Sequence, residues 1–169
     1  MKILETERLV LRTFNADDAA FYFDLWKQAK WIQFIGDKNF QSIEDARASL
    51  IKGPMDMHSR LGFSLYHVSL KENGAAIGMC GLIKRYTLDD VDIGYGLLPE
   101  FEGKGYAHEA AAATLAYAKN HFGISRVVAI VSPDNVASIK LLEKIGLRFE
   151  KMIALTEGPE ELKLYAVNI

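Results

Sequence analysis

Two glycines set one residue apart, Gly103 and Gly105, are the residues whose spacing points most directly to chemistry. They lie between an apolar, strand-like run, Val91 to Leu98, and an alanine-rich segment typical of a helix. Glycine adopts backbone conformations closed to other residues and lets a ligand come close, while the first turn of a helix offers unpaired N–H groups and the positive end of its dipole. The order strand, glycine loop, helix therefore predicts an anion site, and we expect the anion to be a phosphate.

The spacing of these glycines weakens two common readings of a phosphate site. A P-loop needs Gly, four residues and then Gly-Lys-Ser/Thr, which the sequence lacks. A dinucleotide fingerprint needs a third small residue where His108 stands. What remains is Gly-Lys-Gly-Tyr-Ala, residues 103–107, directly after Leu-Leu-Pro-Glu.

Length and composition limit the class of protein. We expect 169 residues to form one domain, 1–169, that buries about two-thirds of its unfolded surface. Twenty basic and 22 acidic residues give a net charge of −2, which does not favour nucleic acid or an anionic membrane surface as a partner. Because no apolar run approaches the ~20 residues of a membrane helix and the N-terminus lacks signal-peptide architecture, we expect a cytoplasmic protein without a membrane partner.

The cysteine and histidine residues do not have the spacing of a metal site. The single Cys80 has apolar neighbours and is expected to be a buried, structural thiol. The four histidines are expected at the surface or at helix ends: His58, His67, His108 and His121. The sequence therefore predicts no metal.

Periodicity and turn residues predict seven strands and about four helices. The expected strands are Thr6–Thr13, Gly62–Leu70, Ala75–Arg85, Val91–Leu98, Arg126–Val131, Phe149–Leu155 and Leu162–Val167. The expected helices run from Asn15 to about Lys27, from Ser42 with a break or bend at Gly53-Pro54, from the glycine loop to Gly123, and from Asn135 to Ile145. The segment 31–40 is aromatic and predicted to be irregular. The antiparallel meander that these strands form argues against a doubly wound dinucleotide-binding sheet.

On residues 103–107 the chain resembles motif A of the GNAT superfamily of N-acetyltransferases, in which Arg/Gln-x-x-Gly-x-Gly/Ala wraps the pyrophosphate of acetyl-CoA. The segment Asn-Val-Ala-Ser, residues 135–138, resembles the family's Asn-x-x-Ser at the start of the second cofactor helix, and the opening ETERLVLR is typical of the RimJ/RimL branch. The likeness covers nearly the whole chain and implies an α/β (α+β) GNAT fold: a mixed, mostly antiparallel seven-stranded sheet with about four helices, splayed at strands 4 and 5. In one departure, Glu102 stands at the family's leading Arg or Gln.

The resemblance implies acetyl-CoA as cosubstrate and an amine acceptor, either a protein N-terminus or a small amine, in a monomer or homodimer. In this family the region of residues 31–40 borders the acceptor pocket. The implied cofactor-binding residues are Leu97, Gly103, Lys104, Gly105, Tyr106, Ala107, His108 and Asn135.

The implied catalytic residues are Asp92, Glu157 and Ser138. Asp92 matches the position where many relatives carry a glutamate that deprotonates the amine, and Glu157 lies where the branch often has an acid on the acceptor side. Either could instead be a structural acid. Many relatives protonate the thiolate with a tyrosine where Leu142 stands here, so Ser138 or water is the implied substitute. The presence of Asn135 could be explained by helix capping alone.

Three function classes follow from these observations. The first is an N-acetyltransferase that works by direct attack in a ternary complex, which requires a neutral amine, an aligned approach and a proton for the leaving thiolate. The second is a non-catalytic acyl-CoA-binding or sensor module, expected if Asp92 and Glu157 lie far from the thioester and no amine is acetylated. The third, a nucleotide-binding protein, is disfavoured by the meander and by His108. Likeness of fold alone does not choose between enzyme and sensor.

Overall fold

The computed structural model describes residues 1–155 and 160–169 of the chain. In this part of the chain eight strands form one sheet: β1 (Lys2–Glu5), β2 (Leu9–Arg12), β3 (Leu65–Leu70), β4 (Ala76–Ile83), β5 (Val91–Leu97), β6 (Arg126–Val131), β7 (Arg148–Ala154) and β8 (Glu161–Asn168). The α-helices are α1 (Ala19–Trp26), α2 (Ala29–Phe34), α3 (Ile43–Leu50), α4 (Asp56–Leu61), α5 (Tyr106–Phe122) and α6 (Val136–Lys144).

The sheet has the order β1-β2-β3-β4-β5-β6-β8-β7, and every neighbouring pair is antiparallel except β5 and β6. Strand β5 pairs with β4 from Asp92 to Leu97, but with β6 only at Val91 and Asp92. Beyond Asp92 the two parallel strands therefore part. This confirms the splay that the resemblance implied.

Helices cover both faces of the sheet, and β5 shows how they are distributed. Ile93 and Leu97 belong to the main core, together with residues of α5 such as Ala111 and Leu115. Gly96 faces Trp31 of α2, which belongs to a second core formed with α1 and α3. Because neighbouring residues of a strand point to opposite faces, α5 and α2 lie on opposite sides of β5. The gap between β5 and β6 therefore has α5 on one face of the sheet and the group of α1, α2 and α3 on the other.

The predicted fold class is confirmed, although the number of elements differs. The expected first strand is shorter because the chain turns at Thr6, whose N–H donates to the Leu9 carbonyl over 2.9 Å; this turn allows Lys2–Glu5 to pair as an additional strand. Part of the segment predicted to be irregular forms α2. The helical conformation is not interrupted at Pro54. A π-helical turn, Ile51–Met55, accommodates the proline and leads into α4.

The expected helix caps are present, whereas one histidine prediction was wrong. Asn15, Ser42 and Asn135 each accept a backbone N–H at the start of a helical segment. His67 does not lie at the surface: it is buried on β3 beside the ring of Phe21, and burial lowers its pKa to about 4. The imidazole is therefore a neutral part of the core at pH 7.

Candidate functional site

The glycine loop has the backbone that its two glycines predict. Gly103 and Gly105 have φ angles of 76° and 84°, in the left-handed region that favours glycine, and Gly105 immediately precedes α5. Within the described residues, none of the backbone N–H groups of residues 103–108 donates a hydrogen bond to the protein. These free donors lie at the positive end of the α5 dipole, so the loop can bind an anion.

The side chain of Arg8, which was not among the predicted site residues, holds the loop from outside the cavity. Its Nε donates to Glu109 Oε1 over 2.8 Å, and its Nη1 donates to the Lys104 carbonyl over 3.0 Å. Its guanidinium lies 4.4 Å from the centre of the Tyr106 ring. Arg8 belongs to the ETERLVLR opening, and Glu109 is an acid in the first turn of α5. A single sequence does not show that these two residues pair, because they lie 101 positions apart.

Glu102, the departure from the family pattern, pairs with a lysine of α2. Lys30 Nζ lies 2.8 Å from Glu102 Oε2, and both side chains are largely exposed. The ion pair offsets the negative charge next to the glycines. The acid at this position is therefore compatible with an anion site.

A single cavity of about 1530 Å³ connects the loop with the splay and with the helices on the other face. Its lining contains most of the predicted site residues: Asp92, Leu97, Gly103, Gly105, Tyr106, Ala107, His108, Asn135 and Ser138. Lys104 does not line it and contributes its carbonyl to Arg8 instead. Glu157 lies outside the described residues. Predicted cofactor-binding residues and predicted catalytic residues therefore line the same cavity.

Asp92 lies at the last pair of residues before β5 and β6 part. Its side chain is buried, and its Oδ2 accepts from Arg85 Nε over 3.2 Å. Its Oδ1 is also buried and has no hydrogen-bond partner in the described part of the chain. Burial raises the pKa of this carboxyl, while Arg85 acts in the opposite direction. Asp92 lines the cavity, and Oδ1 is the carboxyl oxygen that has no hydrogen bond within the described residues.

Ser138 contacts the phenol of Tyr95, which was not among the predicted site residues. Tyr95 Oη lies 2.8 Å from Ser138 Oγ and 3.2 Å from the Ser138 carbonyl oxygen. Burial raises the pKa of Tyr95 to about 12, so the phenol keeps its proton at neutral pH. Asn135 Oδ1 accepts from Ser138 N over 3.2 Å, which confirms its role as a cap. Because side chains alternate along a strand, Tyr95 and Asp92 lie on opposite faces of β5.

The face of β5 opposite Tyr95 is covered by tryptophans. Trp31 Nε1 donates to the Leu97 carbonyl over 3.2 Å, and a Cβ on Gly96 would lie 2.3 Å from Trp31 Cζ2. Trp26 packs edge to face on Trp31 at 5.1 Å, and Lys38 Nζ lies 4.6 Å from the centre of the Trp26 ring. Glycine at position 96 is therefore required for the indole to approach the strand, and the aromatic segment does border the cavity.

The described residues contain neither a cluster of metal ligands nor a helix that could span a membrane. No group of three His, Cys, Asp or Glu side chains within residues 1–155 and 160–169 could hold a metal ion. None of the helices described for this chain is both long enough and apolar enough to span a bilayer.

Comparison with known proteins identifies the family. The family model of the acetyltransferase (GNAT) domain matches residues 8–148. The chain therefore belongs to the GNAT acetyltransferase family and is an acyltransferase by class. The family's cosubstrate is acetyl-CoA, and the resemblance stated from motif A is confirmed.

Relatives of known sequence or structure support this assignment. The chain is 30% identical to the uncharacterized N-acetyltransferase YoaA of Bacillus subtilis (strain 168) over 154 residues, which cover 89% of this chain and 85% of that protein. The crystal structure of an acetyltransferase from Agrobacterium tumefaciens str. C58 matches with a TM-score of 0.83 and 27% identity, covering 98% of this chain and 94% of that one. RimL, a ribosomal L7/L12 alpha-N-protein acetyltransferase in complex with coenzyme A, matches with a TM-score of 0.85 over 100% of this chain and 98% of its own; at 20% identity this likeness concerns the fold.

Proposed function

We propose that this protein transfers the acetyl group of acetyl-CoA to a primary amine by direct attack in a ternary complex. The observation that carries the proposal is one cavity lined both by the glycine loop with its free amides and by Asp92, whose carboxyl has one unpartnered oxygen. Direct attack needs both substrates in one space at the same time. A pyrophosphate site without a buried base nearby would support the sensor alternative instead.

The residues of the loop suit the phosphates of acetyl-CoA. The backbone N–H groups of residues 103–108 would hold the pyrophosphate at the start of α5, where Gly103 and Gly105 adopt the left-handed backbone of the loop. The pantetheine arm would then lie in the splay, beside the part of β5 that does not pair with β6. When bound, acetyl-CoA supplies the thioester carbonyl for the amine to attack and a thiolate as leaving group.

Asp92 is the proposed base for the amine. An amine must lose its proton before it can attack, and Oδ1 of Asp92 is available to take that proton directly or through water. Arg85 favours the ionised carboxylate that this role requires, while burial makes the carboxylate a stronger base. Glu157 remains a second candidate on the acceptor side.

Tyr95 and Ser138 are the proposed donors toward the leaving thiolate. Leu142, at the position of the family's usual tyrosine, is buried and has no proton to give. The protonated Tyr95 phenol lies within hydrogen-bond distance of the Ser138 hydroxyl, so Ser138 would give its proton to the thiolate as it takes one from Tyr95, and water would return a proton to the Tyr95 phenolate. In this way two ordinary hydroxyl groups replace a single tyrosine.

The acceptor is proposed to be a peptide N-terminus or a small amine bound on the tryptophan side of β5. The size of the cavity, about 1530 Å³, accommodates a cosubstrate together with an acceptor of either kind. RimL acts on a ribosomal protein according to its name, and that precedent favours including peptides among the candidates. The cytoplasmic location, the single domain and the monomeric or dimeric state remain predictions.

A panel of amines tests the proposed function. Purified protein is mixed with acetyl-CoA and with peptides bearing free N-termini, polyamines, aminosugars or amino acids, and the released thiol is measured. Amine-dependent thiol release in at least one class is the expected result, with N-acetyl product found by mass spectrometry. Calorimetric binding of acetyl-CoA without release in any class would favour the sensor, and no binding of acetyl-CoA would overturn the proposal altogether.

A further inference from the structure

Arg8 forms an ion pair with Glu109 and also contacts the glycine loop and the first residue of α5. Its Nε and backbone N–H donate to the two carboxylate oxygens of Glu109 over 2.8 and 3.0 Å, and Nη1 donates to the Lys104 carbonyl over 3.0 Å. Its guanidinium also packs on the Tyr106 ring at 4.4 Å. Thr6 adds a hydrogen bond from its hydroxyl to Glu109. A single side chain therefore joins the turn before β2 to the loop, to the first helical residue and to the first turn of α5.

The loop needs such support because of its glycines. Gly103 and Gly105 lose more conformational freedom than other residues when a backbone is fixed, so a loop built on them is not rigid by itself. Binding a pyrophosphate through backbone N–H groups requires these groups to hold one arrangement, and any ordering left until binding weakens the affinity. A contact that fixes the loop in the free protein removes that cost.

We propose that Arg8 is a positioning residue that sets the affinity for acetyl-CoA by fixing the backbone of residues 104–106 from behind. This inference rests on the proposed role of the loop as the pyrophosphate site. Nη1 binds the carbonyl of Lys104, and Arg8 does not line the cavity, so it acts through the loop and does not bind the ligand. Its planar fork reaches Glu109 and the Lys104 carbonyl at once, which a lysine cannot do.

Glu109 supports this arrangement from the helix. Burial opposes ionisation of its carboxyl, but hydrogen bonds from Thr6 and Arg8 outweigh that effect and lower its pKa. Glu109 thus remains a charged partner for Arg8 at neutral pH. The pair at the other end of the loop, Lys30 with Glu102, is a single exposed contact and is expected to contribute little.

Calorimetric titration with coenzyme A tests the inference on wild type, Arg8→Ala, Arg8→Lys and Arg12→Ala. Arg12, the matched control on the adjoining strand β2, forms a bidentate pair with Asp18 but does not touch the loop. We expect Arg8→Ala to raise the dissociation constant about five- to tenfold and Arg8→Lys to raise it nearly as much, since one hydrogen bond to the loop and the ring contact are lost in both. Arg12→Ala should bind coenzyme A as wild type does.

Kinetics separates positioning from general destabilisation. In both Arg8 variants the KM for acetyl-CoA should rise, while kcat at saturation and the KM for the amine stay at their wild-type values. Equal coenzyme A affinity in wild type and Arg8→Lys would overturn the inference even if Arg8→Ala failed to fold, and so would an equal loss of affinity in Arg12→Ala. A wild-type protein that binds no coenzyme A would refute the proposed function itself, a result distinct from either.

Discussion

The two sides of the β5–β6 splay are built in different ways. On the cofactor side the ligand groups are backbone N–H groups of one short stretch, residues 103–108, placed by two glycines and a helix start. On the acceptor side the groups are side chains from distant parts of the chain, among them Trp31 and Asp92. A backbone site depends on local conformation, whereas a side-chain site depends on packing between elements. Substitutions on the cofactor side should therefore weaken the binding of coenzyme A, whereas substitutions on the acceptor side should lower the catalytic rate or the stability of the protein.

The largest expected effect comes from the buried carboxyl on the acceptor side. If Asp92 is the base, Asp92→Asn should lower kcat by ~10²-fold or more and leave the affinity for coenzyme A unchanged. Asp90→Asn is the matched control, because Asp90 lies two residues away, pairs with Arg126 and is much more exposed. Steady-state kinetics with the best amine of the panel measures both. Full activity of Asp92→Asn would show that Asp92 is not the base. Either Glu157 would then be the base, or the amine would bind in its neutral form.

The pH profile of the wild type sharpens this test. Only the ionised carboxylate can accept a proton, so kcat should fall as the pH falls through the pKa of Asp92. Because burial raises that pKa, the loss should begin at a higher pH than for an exposed aspartate. Arg85→Gln removes the lowering influence and should move the profile to still higher pH. A profile that is identical in wild type and Arg85→Gln would contradict the assignment.

The second effect concerns the close packing of Trp31 on β5. In Gly96→Ala the new methyl would lie 2.3 Å from the indole, so Trp31 must move, and we expect a loss of about 1 to 3 kcal/mol in the free energy of unfolding and a higher KM for the amine. Gly94→Ala is the control on the same face, since its methyl meets only the ends of Ile83 and Leu65 at 3.1 and 3.3 Å. Denaturant unfolding measures both variants. Equal stability would mean that Trp31 relaxes without cost.

The same contrast explains how far the sequence could go. Residue type revealed the glycine loop and the Asn135 cap, because each follows from a local rule of backbone geometry. The partners of these elements were not readable: Arg8 with Glu109, and Tyr95 with Ser138, meet only after the sheet has formed. The short helix α2 was missed because it has only six residues and no side chain caps its start, and its Trp31 is fixed by a contact with β5.

The third effect tests the cofactor side through its backbone. Gly105→Val forces a β-branched residue into a φ of 84°, so we expect the dissociation constant for coenzyme A to rise at least about tenfold. Gly74→Val is the control, since Gly74 has a similar φ of 73° in the turn between β3 and β4, away from the cavity. Both variants should lose stability, but only Gly105→Val should lose affinity by calorimetry. ADP, which shares the pyrophosphate, should compete with acetyl-CoA in the wild type.

The smallest expected effect lies at the start of α6, where the two sides of the splay meet. Asn135→Ala removes a cap and should cost ~1 kcal/mol of stability, and because Asn135 holds the backbone of Ser138 it should also slow turnover. Ser138→Ala should mainly lower kcat, since its hydroxyl contacts Tyr95 and takes no part in the cap. Denaturant unfolding and kcat at saturating acetyl-CoA, measured on the same preparations, distinguish the two roles.

Tyr95→Phe determines whether the two hydroxyl groups act as one unit. If a proton passes from Tyr95 through Ser138, removing either hydroxyl interrupts the same path, and the double variant should be little slower than the slower single variant. Independent contributions would instead multiply. If Ser138→Ala turns over at the wild-type rate, the serine has no part in the chemistry, and water must protonate the thiolate at the place where the family's tyrosine is replaced by Leu142.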